Sequence, residues 1–192
     1  LRMAAAVSED NIRKHCVEFE EHLRKFADEK GDDLEAAWIE KMEYVIPRYV
    51  DVFSSRVSDL KNTTLLHGDL HLWNFVYPKD TAPNRLILLD WETYKRGLGP
   101  YDLAYLLVHG TSGRLEVEAN LKELYYSRLT DQVSGYPKEA FEYYYRLSIV
   151  STTFCPLFWK RPFPMRSAID AYSDWDCDES LPTFDSSPAL YA

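Results

Sequence analysis

The sequence predicts an α+β fold, mostly helical, in which a small β-hairpin carries the functional site. Apolar residues recur at helical spacing over residues 8 to 60 and again over 114 to 160. From Thr63 the texture between them changes to short β-rich runs separated by turn residues. The stretch "LLHGDLHLWNFVYP", residues 65 to 78, then packs two histidines, an aspartate, a tryptophan and an asparagine where a buried strand pair would otherwise read cleanly.

Taken in order, Ser8 with Glu9 and Asp10 is a helix start, a cap followed by first-turn acids. Ile12, Cys16, Phe19, Leu23 and Phe26 recur at spacings of four and three and form one apolar face, ending near Gly31. Asp32 or Asp33 caps a second helix with Leu34, Trp38, Met42, Val45 and Ile46 inward. Pro47 is expected to kink or restart it, and Tyr49, Val50, Phe53 and Val57 continue the stripe. "TTLLH" and "NFVYP" read as short strands and "RLILLDW" as a third, with "PKDTAPN" as the turn between the last two. After Gly97, Gly99 and Pro100 helical signals return in "YDLAYLLVHG", "LEVEANLKELYYSRL" and "KEAFEYYYRLSIVSTTFCPLFW". A last helix reads in "MRSAIDAYSDW", and the tail "SLPTFDSSPALYA" reads as frayed.

A length of 192 residues suits one domain with a sizeable core. The 31 acidic against 22 basic residues give a net charge of −9, which argues against general binding to a nucleic-acid backbone. Cys16, Cys155 and Cys177 are an odd set without C-x-x-C spacing, so neither a disulfide framework nor a zinc ribbon is expected, and a reducing, cytoplasmic setting fits. No apolar run approaches the ~20 residues of a membrane-spanning helix.

The chemistry those polar residues suit is phosphoryl transfer. Such a site orients a hydroxyl, holds Mg²⁺ against phosphates and stabilises spread negative charge, so it needs a carboxylate near the nucleophile and oxygen ligands on a rigid frame. Asp69 follows the first strand, Asn74 lies five positions later, and Asp90 ends the third strand. A curled loop lets Asp69 and Asn74 face one cavity, and a returning hairpin brings Asp90 beside them. Singly, each residue has a plainer explanation: a turn aspartate, an Asx-turn asparagine, satisfied core histidines at His67 and His71, a packing Trp73. Order and spacing together favour the site.

"HGDLHLWN" followed by "LILLDWE" resembles the aminoglycoside phosphotransferase and choline kinase-like family, a branch of the protein-kinase-like fold. The loop pattern H-G-D-x-H-x-x-N is matched by His67, Gly68, Asp69, His71 and Asn74. At roughly one in twenty per residue type, five fixed positions arise by chance on the order of once per million start sites. "GLGPYDLAYLL" is similar to the family segment ending in D-L-A, at Asp102, Leu103 and Ala104, and the later aromatic helices are similar to those of an uncharacterised bacterial branch. The resemblance implies Asp69 as catalytic carboxylate and Asn74 and Asp90 as Mg²⁺ ligands. It implies His67 packed behind the loop, His71 holding the loop's shape by a hydrogen bond within it, and Asp102 bracing the loop backbone. Glu92 stands where kinases carry glycine, within reach of metal or substrate.

The resemblance also implies an ATP- and Mg²⁺-dependent phosphotransferase acting on a hydroxyl of a small molecule. The acidic content of the helices would suit a cationic acceptor, though a solvated face explains it equally well. The phosphate-covering loop, strand lysine and helix glutamate of the kinase amino-terminal lobe have no counterpart before Leu65, so residues 1–192 read as a carboxy-terminal lobe alone. The expected partner is then a missing amino-terminal lobe or a further copy of the chain, covering exposed apolar surface. The alternative is a non-catalytic ligand-binding or assembly module of kinase-like ancestry. Protein-kinase activity ranks third, since no A-P-E-like segment follows Asp90.

Overall fold

The computed structural model describes residues 9–29, 33–57, 62–78, 86–110, 113–155 and 165–177. The expected cap at Ser8, the helix end at Gly31, the body of the turn "PKDTAPN" and the tail "SLPTFDSSPALYA" lie outside the described residues.

The predicted class holds: helices dominate and the strands form small antiparallel pairs. Helix α1, Glu9–Glu29, packs along α2, Asp33–Val57, through Cys16, Phe19 and Leu23 on one side and Trp38, Met42, Val45 and Ile46 on the other. α2 runs through Pro47 without a restart. Proline removes one helical donor and crowds the preceding turn, and there the Arg48 guanidinium donates to the Tyr44 carbonyl at 2.8 Å.

Strand β1, Thr63–Leu66, is followed by β2, Phe75–Val76, and β3, Ile87–Leu88, which pair as an antiparallel hairpin. The partner of β1 is β4, Lys95–Leu98, in a register that sets Leu66 against Lys95 and Thr63 against Leu98. The sequence reading had missed this strand, because Gly97 and Gly99 read as turn residues. Gly97 lies close to β1: a Cβ there would stand 2.5 Å from Leu66 Cδ1, so the leucine side chain would have to shift.

Helices α3, Tyr101–Gly110, α4, Arg114–Gln132, α5, Lys138–Thr152, and α6, Met165–Asp174, complete the described fold. α3 and α5 pack on each other and on α6 through Leu103, Ala104, Leu107, Phe141, Tyr145, Ile149 and Ala171, all buried. α5 ends earlier than its apolar run suggests. Its last residues are Ser151 and Thr152, then Thr153, and their hydroxyls donate back to the carbonyls of Leu147, Ile149 and Val150. Such back-bonding bends a helix and slightly destabilises it. Trp38 closes the core by donating its indole N–H to the Thr153 carbonyl at 3.3 Å, tying α2 to the end of α5.

α4 departs from a simple amphipathic pattern, because its buried residues are Arg114, Glu118 and Lys122. Each of them has partners. Arg114 pairs with Glu118 at 2.6 Å and with Asp174. Glu118 accepts from the Tyr145 hydroxyl and the Trp175 indole, and Lys122 meets Glu142. A buried charge is tolerated only when it is paired and hydrogen-bonded in this way.

Candidate active site

The polar stretch leaves β1 at Leu66 and turns at once. Gly68 takes φ +87°, a left-handed backbone that glycine adopts freely, and a Cβ there would lie 2.5 Å from the Thr93 carbonyl oxygen. The turn is held from below by α3. Asp102 in its first turn accepts the His67 backbone N–H at 2.6 Å on Oδ2 and the Gly68 N–H at 3.0 Å on Oδ1. Thr93 adds a hydroxyl bond to the His67 carbonyl.

His67 is buried. Its Nδ1 accepts the Asp69 N–H at 3.3 Å and its Nε2 faces the Leu89 carbonyl at 2.8 Å, which assigns the ring proton to Nε2. Trp91 packs edge-on against the ring. The histidine therefore links the loop to the strand that leads into Asp90.

Asp69 projects its carboxylate toward α3. Oδ1 accepts the Tyr105 hydroxyl at 2.6 Å, and Oδ2 lies 3.4 Å from His71 Nε2. His71 thus faces another side chain of the same loop, the Asp69 carboxylate. Its other nitrogen, Nδ1, is buried and meets no hydrogen-bond partner among the described residues. Asn74, also buried, closes the loop by donating its Nδ2 to the Asp69 carbonyl at 2.9 Å, while its own backbone N–H reaches His71.

The hairpin register then places Asp90. Phe75 pairs with Leu88, and the Leu89 N–H donates to the Asn74 carbonyl at 2.8 Å, so Asp90 is the residue that follows the one bonded to Asn74. Asp90 adopts the left-handed region, φ 62° and ψ 57°, and its side chain caps no part of the turn that follows. A non-glycine residue held there costs of order 1 kcal/mol, and such outliers concentrate at functional sites. Glu92 lies exposed in that turn, and no hydrogen bond among the described residues joins it to the loop.

The donor set fits Mg²⁺. With Asn74 Nδ2 spent on Asp69, Oδ1 is the amide atom left to ligate, and Asp90 supplies a carboxylate. Both are hard oxygen donors of the kind this cation takes when phosphates complete its shell. Among the described residues no three His, Cys, Asp or Glu side chains gather as an all-protein cage, an arrangement Mg²⁺ seldom uses.

Three features escaped the sequence reading. Tyr105 touches Asp69, yet in "YDLAYLL" only Asp102 was given a part in the loop. The available signal was spacing: Asp102, Tyr105 and His109 sit at i, i+3 and i+7, one face of α3. Burial, and then the bond to Asp69, raise the Tyr105 hydroxyl far above the ordinary tyrosine range. His109 is pushed down to about 4 by burial, against the opposing pull of the Thr152 carbonyl and the charge on Asp69. Trp73, expected to pack, is instead 87% exposed, touching the His71 ring edge-on. His71 and Asn74 of the same loop take the inward positions, and the short helical turn Leu72–Asn74 points the indole away from the core.

Residues 3–135 match the Ecdysteroid kinase-like family, a span that contains the whole loop, the hairpin and Asp102. The chain belongs to the ecdysteroid kinase-like family. With the aminoglycoside phosphotransferase branch that "HGDLHLWN" resembles, this family shares the protein-kinase-like superfamily, and the fold is accordingly a kinase-like one. No curated protein and no solved structure matches the chain. No described helix of this ecdysteroid kinase-like chain is long and apolar enough to cross a membrane.

Proposed function

We propose that the protein transfers the γ-phosphoryl group of ATP to a hydroxyl of a small molecule, with Mg²⁺ held by Asn74 and Asp90 and with Asp69 as the catalytic carboxylate. The observation that carries this reading is the closure of one loop and one hairpin on each other. Asn74 bonds Asp69 through its side chain and, through its backbone, Leu89, the residue before Asp90, which supports reading the three as one site. Catalysis in this class is mostly positioning and electrostatics. A loop clamped by Asp102, Thr93 and His67 is suited to that work.

When bound, Mg²⁺ would neutralise charge on the phosphates. The chain's own residues do the rest. Asp69 orients the acceptor hydroxyl and takes its proton, Asn74 and Asp90 present oxygens, and Asp102 keeps the loop from yielding. The cover for the phosphates comes, on this reading, from a kinase-like amino-terminal lobe outside residues 1–192. The exposed Val76, Tyr77, Leu86, Ile87 and Leu89 of the hairpin supply apolar surface for it. The family description points to an ecdysteroid-like polyhydroxylated acceptor, and the acidic helices to a cationic alcohol.

The test is kinetic. The natural full-length protein is assayed with MgATP against polyhydroxylated steroids and choline-like alcohols. Asp69→Asn should lower kcat by ~10²–10⁴-fold, the contribution of a general base, with nucleotide affinity nearly unchanged. Asp90→Asn should weaken MgATP binding as well. Unchanged turnover in a folded Asp69→Asn protein would remove the proposed role.

A further inference from the structure

The Asp69 carboxylate is not free to rotate. On one side the Tyr105 hydroxyl donates to Oδ1 at 2.6 Å, a short, charge-assisted bond. On the other, His71 Nε2 stands 3.4 Å from Oδ2, too far for a strong bond. Tyr105 is itself held. It is buried on α3, three residues from the Asp102 clamp, with its ring edge-on to His109 at 5.0 Å between centroids, and His109 is in turn anchored at the Thr152 carbonyl of α5. The donor that fixes the carboxylate is thus built on the packed core, and the carboxylate sits on a loop.

We propose that Tyr105 is a positioning residue for phosphoryl transfer: its hydroxyl engages Oδ1 of Asp69 and thereby assigns Oδ2 as the oxygen that meets the acceptor. The inference rests on the reading of Asp69 as the catalytic carboxylate. In the step it serves, the acceptor O–H gives its proton to Oδ2 as the acceptor oxygen bonds the γ-phosphorus. The bond from phosphorus to the bridging oxygen breaks, and its electron pair leaves on ADP. Without the tyrosine donor the carboxylate would sample other rotamers, so the proton acceptor would be misplaced part of the time. Nucleotide binding, which involves other residues, would be untouched.

Tyr105→Phe deletes the donor and keeps the ring. The Asp69 side chain is 32% exposed, so water can take up the vacated oxygen and the fold should survive. Proton NMR of the chain gives a readout independent of activity. A buried hydroxyl bonded to a carboxylate should appear as a slowly exchanging downfield resonance, absent in Tyr105→Phe and shifted in Asp69→Asn. Steady-state turnover of MgATP, with water as the acceptor, is then measured in the full-length protein for both variants and their combination. The expected result is a kcat lowered about tenfold in Tyr105→Phe with KM for MgATP within about twofold, and no further loss when Tyr105→Phe is added to Asp69→Asn. Unchanged kcat in Tyr105→Phe beside a collapsed Asp69→Asn overturns this inference alone. Unchanged kcat in Asp69→Asn overturns it together with the reading it rests on. Absence of the hydroxyl resonance from the unmodified chain overturns the contact itself.

Discussion

Asp102→Asn tests the clamp most directly, because it changes one atom and no volume. The aspartate meets two backbone N–H groups, His67 at 2.6 Å and Gly68 at 3.0 Å, with one oxygen each. Asparagine has one oxygen, so its NH₂ must face the second N–H, donor against donor. One bond to a charged group is lost, worth about 1.5–3 kcal/mol. The bond that remains becomes neutral and about half as strong. Gly68 is partly exposed, so water offsets some of the loss, and the net expectation is about 2–3 kcal/mol. For a chain of this size each kcal/mol moves Tm by roughly 2–4 °C, which gives a fall of about 4–12 °C. The loop carrying Asp69 would shift at the same time, and a displacement of ~1 Å at a catalytic group costs on the order of 10²-fold in rate. Differential scanning calorimetry and kcat for MgATP turnover in the full-length protein measure the two effects. A Tm within about 1 °C of the unmodified protein, with kcat unchanged, would refute the clamp as an energetic element.

Other substitutions probe separate parts of the argument. Gly68→Ala forces a Cβ to within 2.5 Å of the Thr93 carbonyl at a φ of +87°, so a loss of at least ~1–2 kcal/mol is expected in urea unfolding, with turnover impaired beyond what stability explains. Glu118→Gln removes the charge shared by Arg114, Tyr145 and Trp175 and should cost about 3 kcal/mol, read as a lower urea midpoint at unchanged m-value. His109 has a folded pKa near 4, below its ordinary value, so below pH 6.5 the unfolded chain binds the extra proton first. Stability is therefore complete above pH 6.5 and falls as pH drops toward 4, by at most about 3 kcal/mol, and His109→Gln should flatten that part of the Tm–pH curve. Residues 1–192 expressed alone should show negligible phosphoryl transfer from MgATP, and clear turnover with contaminating kinases excluded would contradict the expectation of a separate covering lobe.

Much of this fold was legible because its helices bury apolar residues at the period that helices require. Cys16, Phe19 and Leu23 in α1 and Trp38, Met42, Val45 and Ile46 in α2 are all buried as that spacing predicts. The hairpin was legible from β-rich runs around a turn. What was not legible depended on partners distant in sequence. β4 exists because β1 pairs with it, and its glycine, poor in strand propensity, lies close to Leu66. The buried charges Arg114, Glu118 and Lys122 depend on Tyr145 and Glu142 from α5 and on Asp174 and Trp175 at the end of α6, partners 20 to 60 positions away. In the site itself, the loop motif and Asp90 could be read as letters in order. The orientation of each side chain could not, since the contact of Tyr105 with Asp69 spans 36 positions and is made by folding alone.

The Asp102 clamp also ties the loop to the order in which the protein assembles. Its two acceptors sit on α3, whose inner face is part of the core shared with α5 and α6, while the donors they satisfy lie 34 and 35 residues earlier. Hydrogen bonds that span that much chain hold the loop only once α3 is docked. The loop cannot take its shape on a half-folded chain, and an intermediate lacking docked α3 would carry the residues of the site without its geometry.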